Sequence, residues 1–282
     1  MTLDIRDIIF KDLDNVVRVT AVLIANEPGI FAGVDRVKKI LNDLELQYEL
    51  LVKDGDEFKA GDWLLKVMGR PSSILKAEDL IIGAVAKSSG IATAARKAKE
   101  IVGDKIKVVS GGWKKIPIEI KDLIRQAELI GGVGIRILDS PFIYLDKNYI
   151  RIFGSIKEAI QHVSKLFNDR IIVVQIKGFT KPIEDEAVEA AIHGAGVIMI
   201  DTGNFDDIIK VSNTLHKVGL RNKAKIAFAG GLDFEKLRLL KEKNYDVDIV
   251  DVGRAILDAP LIDMRFDVIN IEYLKEKERD KS

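Results

Sequence analysis

From about residue 105 onward the chain repeats one alternation, and that alternation limits the available folds more than any other feature. Short β-forming runs, "KIKVVS", "FIYL", "RIIVVQIKG", "GVIMIDTG", "AKIAFAGG" and "VDIVDVG", recur along it. Between most of them lie amphipathic stretches such as "SIKEAIQHVSKLF", "IEDEAVEAAIHGA", "FDDIIKVSNTLHKV" and "DFEKLRLLKEKN". A continuously apolar strand needs cover on both faces, and intervening helices supply it, so the pattern predicts parallel strands. At least six such strands, most ending in Gly, Asp or Lys, predict an α/β barrel rather than an open doubly wound sheet.

The first third mixes short elements. "IRDIIFKDL" and "DRVKKILNDL" have helical spacing, and "LQYELLVKDGDEF" and "GDWLLKVMG" read as strands around Gly-Asp turns. A long helix over "SSILKAEDLIIGAVAKSSGIATAARKAKEIV" is expected to be capped by Ser72 or Ser73. The tail "DMRFDVINIEYLKEKERDKS" turns from apolar to charged and is expected to return to the first domain. Bulk properties exclude several classes. The 282 residues carry formal net charge +0, so no global field recruits nucleic acid or an anionic membrane, and any anion site must be local. There is no cysteine, which removes disulfides, thiolate metal sites and a cysteine nucleophile. The acidic, amphipathic start is unlike a signal peptide, and no apolar run nears the roughly 20 residues of a membrane span, so a soluble cytoplasmic protein is expected.

Barrel chemistry sits at the C-terminal strand ends. The first strand runs into "SGGWKKIP", which supplies Gly111, Gly112, Trp113, Lys114 and Lys115. Later ends supply Asp146, Lys147 and Asn148, then Gln175 and Lys177, then Asp201, Thr202, Gly203 and Asn204. The last two give Ala229, Gly230 and Gly231, then Gly253 and Arg254, and Arg136 lies in the glycine-rich "IGGVGIR". Glycines there let backbone N–H groups approach a phosphate, and Lys114, Arg136, Lys147 and Lys177 can balance a multiply charged anion. Asp201 suits a Mg²⁺ ion or a sugar hydroxyl. Taken singly, each of these residues also fits a solvated βα turn; as a set on one barrel face they point to an anion site. His162, His193 and His216 fall within expected helices, away from the strand ends, and suit neither zinc nor a Ser-His-Asp triad.

The order of these motifs resembles the quinolinate phosphoribosyltransferase family and its nicotinate phosphoribosyltransferase relatives. The resemblance runs through "EPGIFAGVDRV", "GDEFKAGDWLLKVMG", "ILKAEDLIIGAVAKSSGIATAARK", "GSIKEAI", "AAIHGAGVIMIDTGN", "AFAGGL" and "DVGRAILDAPLIDMRFDV". It implies an α/β fold: an N-terminal α/β sandwich domain over 1–104, an open α/β barrel over 105–268, and a tail over 269–282 returning to the sandwich. It implies a homodimer or higher homo-oligomer, with sites near the subunit interface. It also implies transfer from phosphoribosyl pyrophosphate (PRPP), with Mg²⁺, to a pyridine carboxylate, quinolinate by family default.

Residue by residue, Lys114 matches the family's catalytic lysine, while Trp113 stands where the family has arginine. Arg136 matches a substrate arginine. Lys147 lies in a segment whose lysine and aspartate are exchanged, and Lys177 stands where the family has an acid. Asp201 matches the next acid, with a catalytic and metal role, and Ala229, Gly230 and Gly231 match the phosphate cradle. In the long helix Glu78, Asp79 and Leu80 replace the family's Glu-Arg-Thr. The phosphate cradle is kept and the acceptor pocket is rebuilt, with Lys115, Lys147 and Lys177 as its gained cations. This leaves open a different acceptor, such as nicotinate or another heterocycle stacked on Trp113, or a paralogue that binds a phosphorylated ligand without turnover.

Overall fold

The computed structural model describes residues 4–274, apart from the side chain of Trp113. The chain forms two compact units. One comprises the chain up to Ala94, Pro117–Gly131 and the chain from Ala259; the other comprises Ala95–Ile116 and Gly132–Asp258.

The first unit holds strands β1 (Val17–Ala25), β2 (Gly29–Ile30), β3 (Gln47–Leu50), β4 (Glu57–Phe58) and β5 (Trp63–Gly69). Its helices are α1 (Ile5–Ile9), α2 (Val34–Asp43), the N-terminal part of α3 (Pro71–Val102) and α4 (Lys121–Ile130). β5 runs antiparallel between β1 and β3. Leu23, Leu65, Ile74 and Ile81 are buried in one core with Phe31 and Phe58. The start of α3 differs from the expected Ser72 or Ser73 cap. The helix begins at Pro71, whose fixed φ and missing N–H suit a first helical position. The Ser72 N–H and Oγ instead donate to the Asp14 carboxylate, at 3.0 and 2.5 Å. A capping group so distant in sequence leaves no local signature.

The second unit is built on β6 (Lys107–Val109), β7 (Phe142–Leu145), β8 (Ile171–Ile176), β9 (Ala195–Asp201), β10 (Lys225–Ala229) and β11 (Ile249–Asp251). All pair in parallel in the order β6-β11-β10-β9-β8-β7. β6 and β7 are left as the two edges, so the barrel is open. The connecting helices are α5 (Lys147–Phe153), α6 (Ile156–Leu166), α7 (Ile183–His193), α8 (Phe205–Lys217), α9 (Phe234–Glu242) and α10 (Arg254–Leu257). His162, His193 and His216 all lie on these helices.

One face of the sheet gathers Val109, Val173, Val197, Met199, Ala227, Ala229 and Ile249 into an apolar cluster, with Phe142 and Tyr144 against it. Side chains alternate along a strand. The same parity therefore carries Gly111, Asp146, Gln175, Lys177, Asp201 and Asp251 to the polar end of that face. The interior is apolar below and charged above, which is what a packed barrel with a site at its mouth requires.

The last strand, β12 (Met264–Tyr273), corrects the expected boundaries. It pairs antiparallel with β1 from Val17↔Tyr273 to Ala25↔Met264, completing the sheet order β12-β1-β5-β3. The return to the first unit thus begins at Ala259, not 269, and Pro117–Gly131 also belongs to that unit. The physical reason is the period-two burial of Met264 and Phe266, which suits an antiparallel strand with one wet face. The charged end of the tail lies outside the described residues.

Candidate active site

At the β10 end the chain makes a backbone-only concavity. Gly230 has φ +111°, and a Cβ there would lie 2.2 Å from the Gly203 nitrogen and 2.7 Å from the Thr202 carbonyl carbon. The Gly203 N–H donates to the Ala229 carbonyl at 2.9 Å, so the loops after β9 and β10 touch through backbone alone. Gly231 (φ +75°) continues the turn, with the Lys236 ammonium donating to its carbonyl at 3.0 Å. Only glycine tolerates this approach and this φ together. Gly253 precedes the one-turn α10, and the exposed Arg254 pairs with Asp258 at 3.3 Å.

The β6–β8 side of the mouth is made by side chains. The 3₁₀ turn Gly112–Lys115 follows β6 and carries Lys114, whose Nζ lies 3.1 Å from Asp146 Oδ2. Asp146 caps α5, its Oδ1 accepting from the Asn148 and Tyr149 N–H groups at 2.9 and 3.3 Å. Burial works to raise this carboxyl, but those bonds and the one from Lys114 outweigh it and hold it low. Lys177 Nζ lies 3.0 Å from Asp201 Oδ2, and Gln175 Nε2 donates to the same oxygen at 2.5 Å. Gln175 Oε1 in turn accepts the Lys147 N–H at 3.0 Å. Lys147, Arg151, Gln175, Lys177 and Phe179 line a cavity of about 220 Å³.

The loop after β8 is fixed from beneath by Glu186. Its buried carboxylate accepts from the N–H groups of Lys177 (3.0 Å), Gly178 (2.8 Å) and Thr180 (2.9 Å) and from Thr180 Oγ1 (2.9 Å).

Asp251 is a member of the mouth that residue-type reading passed over. Its Oδ1 accepts the Gly111 N–H at 2.8 Å, and it has no ion-pair partner among the described residues. Burial pushes its carboxyl up to about 6; the Gly111 bond works against that and the charge of Asp201 adds to it. Tyr144 is a second missed member, its hydroxyl pushed up by burial and then by Asp201, Asp251 and Asp146. The signal was present, since Asp251 closes the apolar Ile249-Val250 step of "VDIVDVG" as Asp201 closes "GVIMID".

The expected site residues are thus partly assembled. Lys114, Lys147, Lys177, Asp201, Ala229, Gly230 and Gly231 sit at strand ends on the mouth. Arg136 is not brought onto the ion pairs: its guanidinium lies over the ring of Phe142, the first residue of β7, 5.2 Å from the centroid. Lys115 is exposed, with no ion-pair partner among the described residues, and the Trp113 side chain lies outside them. The metal role expected of Asp201 does not fit its surroundings. Its Oδ2 is already held by the Lys177 ammonium and the Gln175 amide. Among the described residues no three His, Cys, Asp or Glu side chains converge on a metal position. A protein-held Mg²⁺ needs free oxygen donors, and this donor set does not offer them.

An open parallel barrel with a backbone-only glycine turn and charged side chains at its C-terminal strand ends places this chain among α/β-barrel proteins that keep their site at that end. Residues 7–89 match the family model described as quinolinate phosphoribosyl transferase, N-terminal domain, and residues 91–267 match the one described as its C-terminal domain. The chain therefore belongs to the quinolinate phosphoribosyltransferase family. It is 29% identical over 259 residues to a probable nicotinate-nucleotide pyrophosphorylase [carboxylating] of Archaeoglobus fulgidus, covering 89% of this chain and 95% of that one. It is 25% identical over 280 residues to the protein of the same description in Methanothermobacter thermautotrophicus, covering 93% and 95%. The crystal structure of nicotinate-nucleotide pyrophosphorylase from Pyrococcus furiosus shares the fold, with TM-score 0.83 and 24% identity over 96% of this chain and 75% of that one. No helix among the described residues is long and apolar enough to cross a membrane.

Proposed function

We propose that this protein transfers the phosphoribosyl group of PRPP to the ring nitrogen of quinolinate, with loss of CO₂, giving nicotinate mononucleotide and pyrophosphate in NAD biosynthesis. The observation that carries this reading is the match of both family domains across residues 7–89 and 91–267. The geometry of the mouth agrees with it. The ring nitrogen lone pair forms a bond to the anomeric carbon as the bond from that carbon to the pyrophosphate oxygen breaks, and the leaving group takes the electron pair. The bond from the adjacent ring carbon to its carboxylate then breaks, CO₂ leaves, and that carbon takes a proton.

The protein's share is positioning and charge stabilisation at an oxocarbenium-like transition state. The Gly230–Gly231 turn receives the 5-phosphate. Lys114 and Lys147 face the acceptor carboxylates, and Lys177 faces the departing pyrophosphate. A homodimer, as the resemblance implies, suits the exposed apolar side chains Leu80, Ile118 and Ile120 of the first unit, 51%, 78% and 44% exposed; light scattering tests it.

One observation favours a second acceptor. Lys114 and Lys177 are each paired with an aspartate, and Asp251 adds a third carboxylate, so the mouth offers a dicarboxylate fewer unpaired cations than its lysine count suggests. Incubation with PRPP and either quinolinate or nicotinate separates the readings. Pyrophosphate with CO₂ from quinolinate supports the first. Pyrophosphate without CO₂, from nicotinate or another heterocycle, moves the assignment to the second. PRPP binding without turnover on a broad acceptor panel removes both.

A further inference from the structure

We infer that this protein carries the cation for the pyrophosphate end of its substrate in its own covalent structure, as the Lys177 ammonium, and binds PRPP without a protein-held divalent metal. The inference rests on the phosphoribosyl-transfer reading above and goes further by assigning the charge at the leaving group. Lys177 is not a loosely solvated rim lysine. Its side chain is 25% exposed, and its Nζ is held 3.0 Å from Asp201 Oδ2 at the end of β9. The backbone that presents it is locked by four hydrogen bonds from residues 177–180 to the buried Glu186 carboxylate. Preorganisation of this kind removes the cost of ordering a long side chain when an anion arrives.

The donor set makes the same point from the metal's side. Mg²⁺ requires several oxygen donors in near-octahedral arrangement. Among the described residues the Lys177 ammonium pairs with Asp201, whose Oδ2 already accepts from that ammonium and from the Gln175 amide. A divalent ion there would have to displace an ammonium of like sign. Meanwhile the cavity beside Lys177 is bordered by Lys147 and Arg151, and its one acid, Glu186, has its carboxylate turned to the loop backbone. The cavity is cationic without help from an ion, which suits a multiply charged phosphate.

The test is a calorimetric titration of PRPP in EDTA and in Mg²⁺, on the parent protein and on Lys177→Met, Lys177→Arg and Lys177→Glu. Mn²⁺ binding to the substrate-free protein is followed by electron paramagnetic resonance. The parent is expected to bind PRPP in EDTA within about threefold of its affinity in Mg²⁺. Lys177→Met is expected to lose about 10- to 100-fold in EDTA, the worth of one charge-assisted contact. Lys177→Arg is expected to keep metal-free binding. Lys177→Glu, with two carboxylates side by side, is expected to gain a bound Mn²⁺ signal that the parent lacks. Tight Mn²⁺ binding by the parent, PRPP binding that requires Mg²⁺, or unchanged metal-free affinity in a folded Lys177→Met would overturn the inference. Turnover seen only with Mg²⁺-dependent PRPP binding would overturn it while leaving phosphoribosyl transfer intact. No PRPP binding under either condition would overturn both.

Discussion

The two sides of the barrel mouth are built from different materials. After β9 and β10 the mouth is backbone, set by Gly203, Gly230 and Gly231; at Gly203 and Gly230 a single added carbon would collide with main-chain atoms, while Gly231 contributes its positive φ. After β6, β7 and β8 the mouth is side chain: two lysines each held by an aspartate, with a buried glutamate fixing the loop beneath one of them. A backbone cradle has one workable geometry. A side-chain rim can be re-paired residue by residue while the fold stays the same. The glycine side should therefore fail abruptly on substitution and the lysine side by degrees.

The sharpest way to break that comparison is Gly230→Ala. Positive φ and a 2.2 Å backbone approach together should cost about 3 kcal/mol in denaturant unfolding and abolish PRPP binding. Gly231→Ala, with nothing within 4 Å of the added carbon, should cost only about 1 kcal/mol. Equal effects at the two glycines would show that close approach is not what constrains the cradle.

On the rim, Glu186→Gln should cost about 2 kcal/mol, because an amide presents N–H to a loop that already supplies donors. Turnover should fall with it, checked by urea melts alongside steady-state rates.

Asp251→Asn should show its effect through pH. The folded carboxyl titrates near 6, above the value of 3.8 for an unperturbed aspartate. Below that lower value both states are protonated and burial costs nothing. The cost appears as pH rises from 4 through 6 and is complete above 7. Relative to the parent, the asparagine variant should therefore gain about 2 kcal/mol between pH 4 and 7 and stay level beyond. A difference that does not change with pH would remove the buried-charge account.

The smallest stability effect belongs to Lys114→Ala. Its side chain is 89% exposed, so loss of the Asp146 pair should cost under about 0.5 kcal/mol. Acceptor kcat/KM should nonetheless fall about tenfold, one charge-assisted contact. An unchanged kcat/KM would take Lys114 out of the site.

Legibility in the sequence followed the same division. The six barrel strands and the helices α6, α7, α8 and α9 follow from periodicity, while the short α5 and α10 do not, and Gly230-Gly231 was legible as a strand-end glycine pair, a pattern that a plain βα turn also shows. Lys177 was visible as a strand-end cation, but its partner was not: Asp201 lies on the neighbouring strand, and only the β8–β9 register places the two together. Asp251 lies two residues beyond the inward Ile249, so strand parity carries it to the mouth, but the run "VDIVDVG" also holds Asp248, which pairs with Arg221 instead, and residue type alone does not tell the two apart. The Asp14 cap of α3 and the placement of Pro117–Gly131 depend on contacts far apart in sequence, which no local pattern encodes.

The pairing of β12 with β1 has a consequence for the order in which the molecule can be completed. Synthesis runs from the N-terminus, and domains generally fold as they emerge. Every barrel strand is made by Asp251, whereas β1, among the first segments to appear, keeps one edge open until Met264–Tyr273 arrives. An open strand edge is a template for the wrong partner. A stop codon after Ile262 would spare the whole barrel and leave its damage in the sheet that was begun first.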